Sequence, residues 1–405
     1  AFLPRKFKIA VTGAREDRAA IAWHDIGLQL LKNQAGEVGF KVLVGGGMGR
    51  TPIIGTEIRA FLPWQQILVF IEAIVRVYNR YGRRDNAYKA RIKILVKAEG
   101  PKFIDAVEAE FRNILERDLD GTAHIIPLAE LDRVRAHFQR PASVVATDEP
   151  AAAPADALPA YTRWLTRNVH PHQVAGYRAV TLSVKRPGQA PGDVTDIQME
   201  RAAGLAERYS HAELRVSHDQ NLVLPWVRAS ELPALWQDAR DAGFASPNIG
   251  LLTDMIACPG GDFCALANAR SIPLAAEITE RYADLDELYD IGDIDLHISG
   301  CINSCGHHHS GHIGVLGVDK DGSEWYQLTL AGSDGSTLSG APLPGKVIGP
   351  SFAADEVADA IEAVIDTYRK RRAANEHFID TVKRLGLDPF KASANAVRRS
   401  TARAA

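Results

Sequence analysis

All four cysteines of this 405-residue chain lie between positions 258 and 305, and this clustering constrains the fold more than any other feature. So few thiols, so close together, cannot cross-link a chain of this length with disulfides, which favours a metal centre. They form two pairs, Cys258 with Cys264 and Cys301 with Cys305. The glycine and proline residues around each pair indicate exposed turns that present the side chains. Four thiolates in two close pairs suit a cubane iron-sulfur cluster, which takes soft, negatively charged ligands.

Zinc is the main alternative metal for these cysteines. Structural zinc sites usually separate paired cysteines by two to four residues, so Cys301 and Cys305 fit, while Cys258 and Cys264 are spaced too widely. Four buried, unreactive thiols with only a packing role are a further alternative.

Changes in composition divide the chain into segments. Residues 141–160 combine proline, alanine and small polar residues without periodicity, as an exposed linker would. Residues 391–405 are rich in alanine and arginine and are predicted to form a flexible tail. We therefore expect a cysteine-free α/β unit over residues 1–140, a module over residues 161–245, and a second unit with the cysteines over residues 246–390.

The central module shows a strand-helix-strand-strand-helix pattern between residues 178 and 242, which is typical of a ferredoxin-like fold. Thr195 is the expected cap of its first helix. In the flanking units, Ile71-Glu-Ala-Ile-Val followed by Tyr78 matches Ile361-Glu-Ala-Val-Ile followed by Tyr368. Each stretch follows a glycine-rich β segment, which indicates an internal repeat. The predicted fold class is α+β, with two copies of one α/β unit flanking a ferredoxin-like module; chance similarity between amphipathic helices is the alternative.

Charge and hydropathy exclude several classes of protein. The chain has 47 basic and 50 acidic residues, which matches no dedicated nucleic-acid-binding protein. It has no apolar run long enough to span a membrane, and its start lacks a signal-peptide core. We therefore predict no membrane partner and a cytoplasmic location. Because the chain begins at Ala1 and opens directly into a basic, strand-like segment, we also consider it an internal piece of a longer protein.

The cysteine motifs resemble those of a known family. Cys-x5-Cys followed by Gly-Cys-x-Asn-x-Cys-Gly is similar to the motif of the assimilatory sulfite and nitrite reductases, which couple siroheme to a [4Fe-4S] cluster. Three further stretches resemble the family's basic strand, its glycine-rich cofactor strand and its Gln-Asn motif: residues 3–8, 39–49 and 215–221.

This resemblance implies roles for particular residues. Cys258, Cys264, Cys301 and Cys305 would bind the cluster, and Cys305 would also bridge to the siroheme iron. Lys6 and Lys8 would face the anionic substrate. The resemblance places five more residues near siroheme: Gly46, Gly47, Arg84, Arg91 and Lys93. Asn303, between two of the cysteines, would also lie near it.

Most of these residues have simpler interpretations that need no cofactor. Lys6 and Lys8 could belong to a solvated edge strand. Residues 83–93 could form a solvated face or a weak nucleic-acid patch, and Asn303 could be a left-handed turn residue. The glycines of residues 45–49 lack the spacing of a phosphate-binding loop or a dinucleotide fingerprint, so close approach to a flat macrocycle explains them better.

The sequence departs from the family in two places. The signature usually has an acidic residue where this chain has His312, after an unusual histidine run at His307, His308 and His309. We expect these histidines to pack beside the cluster or to hydrogen-bond its sulfurs, because consecutive residues cannot all face one ion. Family members also have a further N-terminal lobe with its own Gln-Asn motif, which this sequence lacks.

The resemblance implies a function and partners. We predict the hemoprotein of an assimilatory sulfite reductase, which reduces sulfite to sulfide with six electrons. Siroheme nitrite reductase, which converts nitrite to ammonia, is the alternative; a non-enzymatic protein braced by an iron-sulfur cluster or zinc is another. No flavin or nicotinamide domain is recognisable, so a separate ferredoxin or flavoprotein reductase would donate electrons.

Overall fold

The computed structural model describes residues 3–4, 6–117, 125–147, 158–336 and 339–399. The chain divides into two compact units: residues 1–139 with 333–344 form unit 1, and residues 140–332 with 345–405 form unit 2. Residues 148–157, half of the predicted linker, lie outside the described residues. Among the helices that are described, none has the length and apolar character to cross a membrane.

Unit 1 contains a four-stranded sheet in the order β1-β2-β3-β4. Strand β1 is parallel to β2, and the remaining neighbours are antiparallel. Ile26, Val42 and Val44 are fully buried, because alternate side chains of a strand point to the same face of the sheet. The strands are β1 (Ile9–Thr12), β2 (Ile26–Lys32), β3 (Val38–Val44) and β4 (Thr56–Pro63).

Helix α1 covers this sheet with an apolar stripe. Phe70, Ile74 and Tyr78 recur at helical spacing and are fully buried. Phe70 packs edge-to-face on Phe111, with ring centroids 5.2 Å apart. A 3-10 turn over residues 64–66 precedes the helix. The helices of unit 1 are α1 (Ile67–Tyr81), α2 (Ile92–Glu99), α3 (Pro101–Arg117) and α4 (Leu128–His137).

The ferredoxin-like module of unit 2 has an antiparallel sheet in the order β5-β6-β8-β7. Thr195 caps α6, as predicted, in a reciprocal capping box with Gln198. The elements are α5 (Pro159–Asn168), β5 (Val169–Pro171), β6 (Tyr177–Leu182), α6 (Asp196–Tyr209), β7 (Arg215–Val216), β8 (Leu222–Arg228) and α7 (Leu232–Ala242).

The cysteine-bearing part of unit 2 has a sheet in the order β13-β12-β11-β10-β9, with β14 also beside β12. Its strands are β9 (Ile256–Ala257), β10 (Leu296–Ser299), β11 (Ile313–Lys320), β12 (Ser323–Leu330), β13 (Lys346–Val347) and β14 (Phe352–Ala353). Its helices are α8 (Ile272–Arg281), α9 (Leu285–Ile291), α10 (Val357–Arg371), α11 (Phe378–Leu385) and α12 (Asp388–Ala396).

The same order of elements occurs twice. In the first copy, β1 is parallel to β2, β2 is antiparallel to β3, and α1 follows. In the second copy, β10 is parallel to β11, β11 is antiparallel to β12, and α10 follows. The predicted fold class, two copies of an α/β unit with a ferredoxin-like module between them in sequence, is confirmed.

Some predicted boundaries were wrong. Helix α5 begins at Pro159, inside the predicted linker, because proline is well tolerated in the first turn of a helix. Residues 391–396 are helical rather than frayed, because Phe390 and Ala394 of α12 are fully buried. Residues 400–405 of the predicted tail lie outside the described residues.

Candidate functional site

The first pair of cysteines lies on the turn that follows β9. The main-chain N–H of Cys258 donates to the carbonyl of Ile298 at 3.1 Å, which extends the pairing of β9 with β10. A 3-10 turn over Gly260–Asp262 then reverses the chain. The N–H of Cys264 donates to the carbonyl of Gly260 at 2.9 Å, so both cysteines have fixed main-chain positions.

The second pair lies on the turn that follows β10. The N–H of Ser304 donates to the carbonyl of Cys301 at 3.1 Å, and the N–H of Gly306 donates to the hydroxyl of Ser299 at 3.1 Å. Ser304 is left-handed, with φ of 58°, and Asn303 is not, so the left-handed role considered for Asn303 was assigned one residue too early. Asn303 is half-buried.

Gly300 joins the two cysteine turns. Its N–H donates to the thiol sulfur of Cys258 at 3.1 Å, and its carbonyl accepts the N–H groups of Asn268 and Ala269 at 2.8 and 3.1 Å. A Cβ at this position would lie 2.7 Å from the Cα of Gly260, so only glycine permits this approach. The fold therefore brings the sequence-predicted pairs together through a contact that sequence spacing does not reveal.

The four cysteines differ in exposure but are all free of disulfides. Cys301 is buried, Cys258 and Cys264 are half-buried, and Cys305 is exposed. Within the described part of the chain, no group of three or more Cys, His, Asp or Glu side chains is arranged to hold a single metal ion.

The histidine run packs inside the protein beside the second cysteine pair. His308 is fully buried, its Nδ1 lies 3.1 Å from the hydroxyl of Ser304, and its ring lies 3.9 Å from that of His309. Burial, assisted by the neighbouring histidines, lowers the pKa of His308 to about 2, so it is neutral at physiological pH. The packing agrees with the expectation from sequence, and hydrogen bonding to cluster sulfurs stays a prediction.

His312 belongs to a pair of residues whose counterparts in the first copy have the opposite chemical character. The N–H of Asp295 donates to Nδ1 of His312 at 3.2 Å, and the Asp295 carboxylate lies 3.5 Å from Nε2. At the matching position of the first copy, the N–H of Lys8 donates to the carboxylate of Asp25 at 3.1 Å. The pair Lys8 and Asp25 of the first copy is thus replaced by Asp295 and His312 in the second. Because Asp295 already supplies the acidic group of this pair, His312 fits where the family usually has an acidic residue.

The predicted basic residues of unit 1 separate into two environments. Arg91 donates to the carboxylate of Asp25 and to the carbonyl of Met48, both at 3.1 Å. Arg84 is exposed instead; its guanidinium lies 4.4 Å from the centre of the Tyr78 ring. Burial raises the pKa of Tyr78, and Arg84 and Arg91 both oppose this rise, so the two arginines make different contacts but lie near the same hydroxyl group.

Lys93 is buried beneath the glycine-rich loop. Its Nζ donates to the carbonyls of Thr51, Met48 and Gly47 at 2.6, 2.9 and 3.3 Å. Burial, with a smaller effect of Arg91, lowers the pKa of Lys93 to about 8. Lys6 also contributes to this lowering, so Lys6, Arg91 and Lys93 share one region of positive potential, with the buried Asp25 as counter-charge.

The glycines of this loop approach the chain's own atoms closely. A Cβ at Gly46 would lie 2.3 Å from the carbonyl oxygen of Ala22, and one at Gly47 would lie 2.6 Å from the Arg91 guanidinium. These contacts explain the glycines without a cofactor. Lys8 is exposed and Lys6 is half-buried, and both precede β1 rather than lie within it.

Sequence reasoning missed several residues that hold the site. Ser299 precedes the motif and Gly300 is its first residue, but nothing in their identity reveals that they bond to the turns. A role for Asp25 could have been inferred only from its place in the repeat, at the position that matches His312. Gln220 bonds to Ala257, next to Cys258, through a tertiary contact that a sequence motif does not specify.

Comparison with known proteins gives consistent results. The family model described as "Nitrite and sulphite reductase 4Fe-4S domain" matches residues 1–115 and 251–399. The "Nitrite/Sulfite reductase ferredoxin-like half domain" matches residues 170–242. The chain is 28% identical over 395 residues to the assimilatory ferredoxin-dependent nitrite reductase of Haloferax mediterranei, covering 95% of this chain and 62% of that protein. It is 26% identical over 400 residues to sulfite reductase [ferredoxin] 2 of Mycolicibacterium paratuberculosis, covering 96% and 63%.

The structure of the Mycobacterium tuberculosis NirA protein has the same fold, with a TM-score of 0.67 and 24% identity over 96% of this chain and 64% of that one. The chain thus spans about three fifths of the length of these proteins. The family model with the 4Fe-4S description covers more than half of the chain and includes every cysteine. The chain therefore belongs to the nitrite and sulphite reductase family, as the motifs predicted, and siroheme and a [4Fe-4S] cluster are the cofactors of this family.

Proposed function

We propose that this chain forms the cofactor-binding part of an assimilatory sulfite reductase, which reduces sulfite to sulfide. The observation that supports this most strongly is the junction at Gly300, where two cysteine turns from distant parts of the sequence meet through hydrogen bonds to sulfur and to the main chain. Siroheme joined to a [4Fe-4S] cluster supplies electrons one at a time to a bound anion.

The cysteine turns fit a cubane cluster. Two turns, whose main chains are fixed by hydrogen bonds, carry four cysteines outside any disulfide: Cys258, Cys264, Cys301 and Cys305. We assign all four as cluster ligands and Cys305, the most exposed, as the bridge to siroheme. The N–H of Gly300 already donates to the sulfur of Cys258, and such bonds stabilise a thiolate and tune a cluster's potential.

The basic residues would supply charge for the carboxylates of siroheme and for the anionic substrate. Lys6 and Lys8 are proposed to bind the anion, because neither is buried. Arg91 and Lys93 are held by the carbonyls of the glycine-rich loop and by Asp25, so we infer that they fix this loop and contribute positive potential. Gly46, Gly47 and Asn303 stay proposed cofactor neighbours. Arg84, which is exposed, also stays a proposed neighbour of siroheme.

Nitrite is the second candidate substrate. One similar protein is named as a nitrite reductase and another as a sulfite reductase, at nearly equal identity. Both are described as ferredoxin-dependent, which supports a separate ferredoxin as electron donor; a flavoprotein reductase is the alternative. We also infer a cytoplasmic location, because reduced cysteine ligands persist in that compartment. A structural protein braced by zinc or an iron-sulfur cluster is the alternative of another class.

The test compares sulfite and nitrite as substrates of the full-length protein, purified from a host that makes siroheme. With a reduced donor, kcat/KM for sulfite is expected to exceed that for nitrite, and sulfide is the expected product. A higher kcat/KM for nitrite would establish the second candidate. A colourless preparation that contains zinc would contradict both.

A further inference from the structure

The turn between β7 and β8 presents Gln220 in a fixed conformation. The hydroxyl of Ser217 accepts the N–H groups of Asp219 and Asn221 at 3.2 and 3.1 Å, and the N–H of Ser217 donates to the carbonyl of Asn221 at 2.8 Å. Gln220 has φ of 57°, in the left-handed region that residues other than glycine, asparagine and aspartate rarely adopt. The turn therefore directs this side chain at some cost in backbone strain.

The amide of Gln220 pairs with the main chain of Ala257, the residue before Cys258. Its Nε2 donates to the carbonyl of Ala257 at 3.0 Å, and its Oε1 accepts the N–H of Ala257 at 3.0 Å. Within a strand, successive residues direct their main-chain polar groups to opposite edges. On one edge of β9, the N–H of Cys258 donates to the carbonyl of Ile298 in β10. On the other edge, the side-chain amide of Gln220 pairs with the N–H and carbonyl of Ala257, as a neighbouring strand would.

A second contact locks the same segment to the module. Asn221 donates to the carboxylate of Asp254 at 2.8 Å and accepts the N–H of Val184 at 3.2 Å. The ammonium of Lys185 lies 2.9 Å from the same carboxylate, and both charged side chains are buried. Breaking such a buried pair is costly, so the start of the cysteine segment cannot move freely from the ferredoxin-like module.

We propose that Gln220 is a positioning residue, which holds β9 so that the sulfur of Cys258 stays beside the N–H of Gly300. The ferredoxin-like module thereby sets the geometry of one cluster ligand without contributing a ligand itself. This inference rests on the proposed role of Cys258 as a ligand.

The most informative variant is Gln220→Asn. Asparagine tolerates the left-handed conformation and keeps the amide, but it is one methylene too short to reach Ala257. Gln220→Glu is the second variant: it keeps an acceptor for the N–H of Ala257 and places a carboxylate against the carbonyl. His218→Ala is the matched control, because His218 lies in the same turn, has a side chain that is 53% exposed, and makes a surface ion pair with Asp219.

The measurements use the full-length holoprotein: hydrogen exchange at the Ala257 amide, the rate of iron release to a chelator, the EPR spectrum of the reduced cluster, and Tm. Loss of the paired bonds is expected to speed exchange and iron release by about 10-fold in Gln220→Asn, because the main chain of Ala257 loses both partners on that edge. The EPR spectrum should change in both variants, while Tm stays near that of His218→Ala. Exchange at Ala257 reports on Gln220→Glu even if that variant loses its cluster.

Two results would overturn the proposal in distinguishable ways. If wild-type protein holds its cluster, and iron release and EPR in Gln220→Asn match those of His218→Ala, Gln220 has no positioning role. If wild-type protein holds no cluster at all, the proposed function fails first, and this inference fails with it.

Discussion

The two copies of the α/β unit share a backbone but differ in the chemistry of one turn. In the first copy, Ile26 donates its N–H to Lys8 at 3.1 Å; in the second, Ile313 donates to Asp295 at 3.0 Å. Both turns have a left-handed residue at the matching position, Ala20 in one copy and His307 in the other, and the second copy has a further one at Ser304. The strands have equivalent register and the turns have equal length, so Cys301 matches Ala14 and Cys305 matches Arg18.

This comparison separates the residues that determine the conformation of the turn from those that could bind a cofactor. Gly27 and Gly314 occupy matching positions, and a Cβ at either would collide with a carbonyl oxygen, of Ile21 at 2.2 Å or of His308 at 1.9 Å. The backbone therefore depends on glycine, the left-handed residue and strand pairing in both copies. The proposed cofactor site depends on thiols that only the second copy has.

Among the variants that test this difference between the copies, Cys305→Ser should have the largest effect. Loss of the proposed bridging ligand is expected to lower sulfite reduction by at least about 100-fold, more than the loss of a residue that only supports a ligand. The visible and EPR spectra should show siroheme no longer coupled to the cluster. Arg18→Ser, at the matching position of the first copy, is the control and should retain both. Retained coupling in Cys305→Ser would refute the bridging role.

Asp25→Ala tests the buried charge pair of the first copy. Asp25 is fully buried beside Arg91, and its removal leaves a buried charge without its counter-charge, so we expect a loss of about 3–5 kcal/mol in the free energy of unfolding. Asp85→Ala, which breaks the exposed pair with Arg83, should leave the free energy of unfolding nearly unchanged, because solvent screens exposed charges. Denaturant titration measures both. Similar losses in the two variants would show that Asp25 does not hold the first copy together.

Alanine at the matching glycines tests the shared backbone directly. Gly27→Ala and Gly314→Ala should each cost about 1–3 kcal/mol, because the added methyl group meets main chain that cannot move aside easily. Gly204→Ala in α6 is the control: nothing lies within 4 Å of its Cβ position, so it should be neutral or stabilising. A large loss in only one of the two glycine variants would break the equivalence of the copies.

His308→Ile tests a fully buried histidine whose counterpart in the first copy is apolar, Ile21. Because burial holds the pKa of His308 near 2, the unfolded chain binds more protons between about pH 2 and 6.5. The stability present above pH 6.5 is therefore lost as the pH falls, and His308→Ile should show a shallower loss. The surface variant His137→Ala should follow wild type in unfolding measured from pH 7 to pH 4. Parallel curves for wild type and His308→Ile would contradict the assignment.

The cysteine pairs and the repeat could be predicted because each is visible within a short stretch of the sequence. Cysteine spacing identifies the pairs, and helical periodicity identifies α1 and α10. Contacts between distant residues could not be predicted: Gly300 with Cys258, and Gln220 with Ala257, depend on how the strands come together. The different contacts of Arg84 and Arg91 could not be predicted from one basic run: the guanidinium of Arg84 lies over the Tyr78 ring, whereas Arg91 donates to Asp25.

We propose that the second copy supplies every cysteine ligand of a [4Fe-4S] cluster, whereas the first copy, which has no cysteine, supplies basic residues only. Iron, acid-labile sulfide, siroheme and zinc, measured on one preparation of the full-length protein, test it directly. The account predicts one [4Fe-4S] cluster and one siroheme per chain, with the cluster lost when Cys258 and Cys301 are both replaced by serine and with no zinc in their place. A cluster that survives this double replacement, or zinc bound in place of iron, would contradict it.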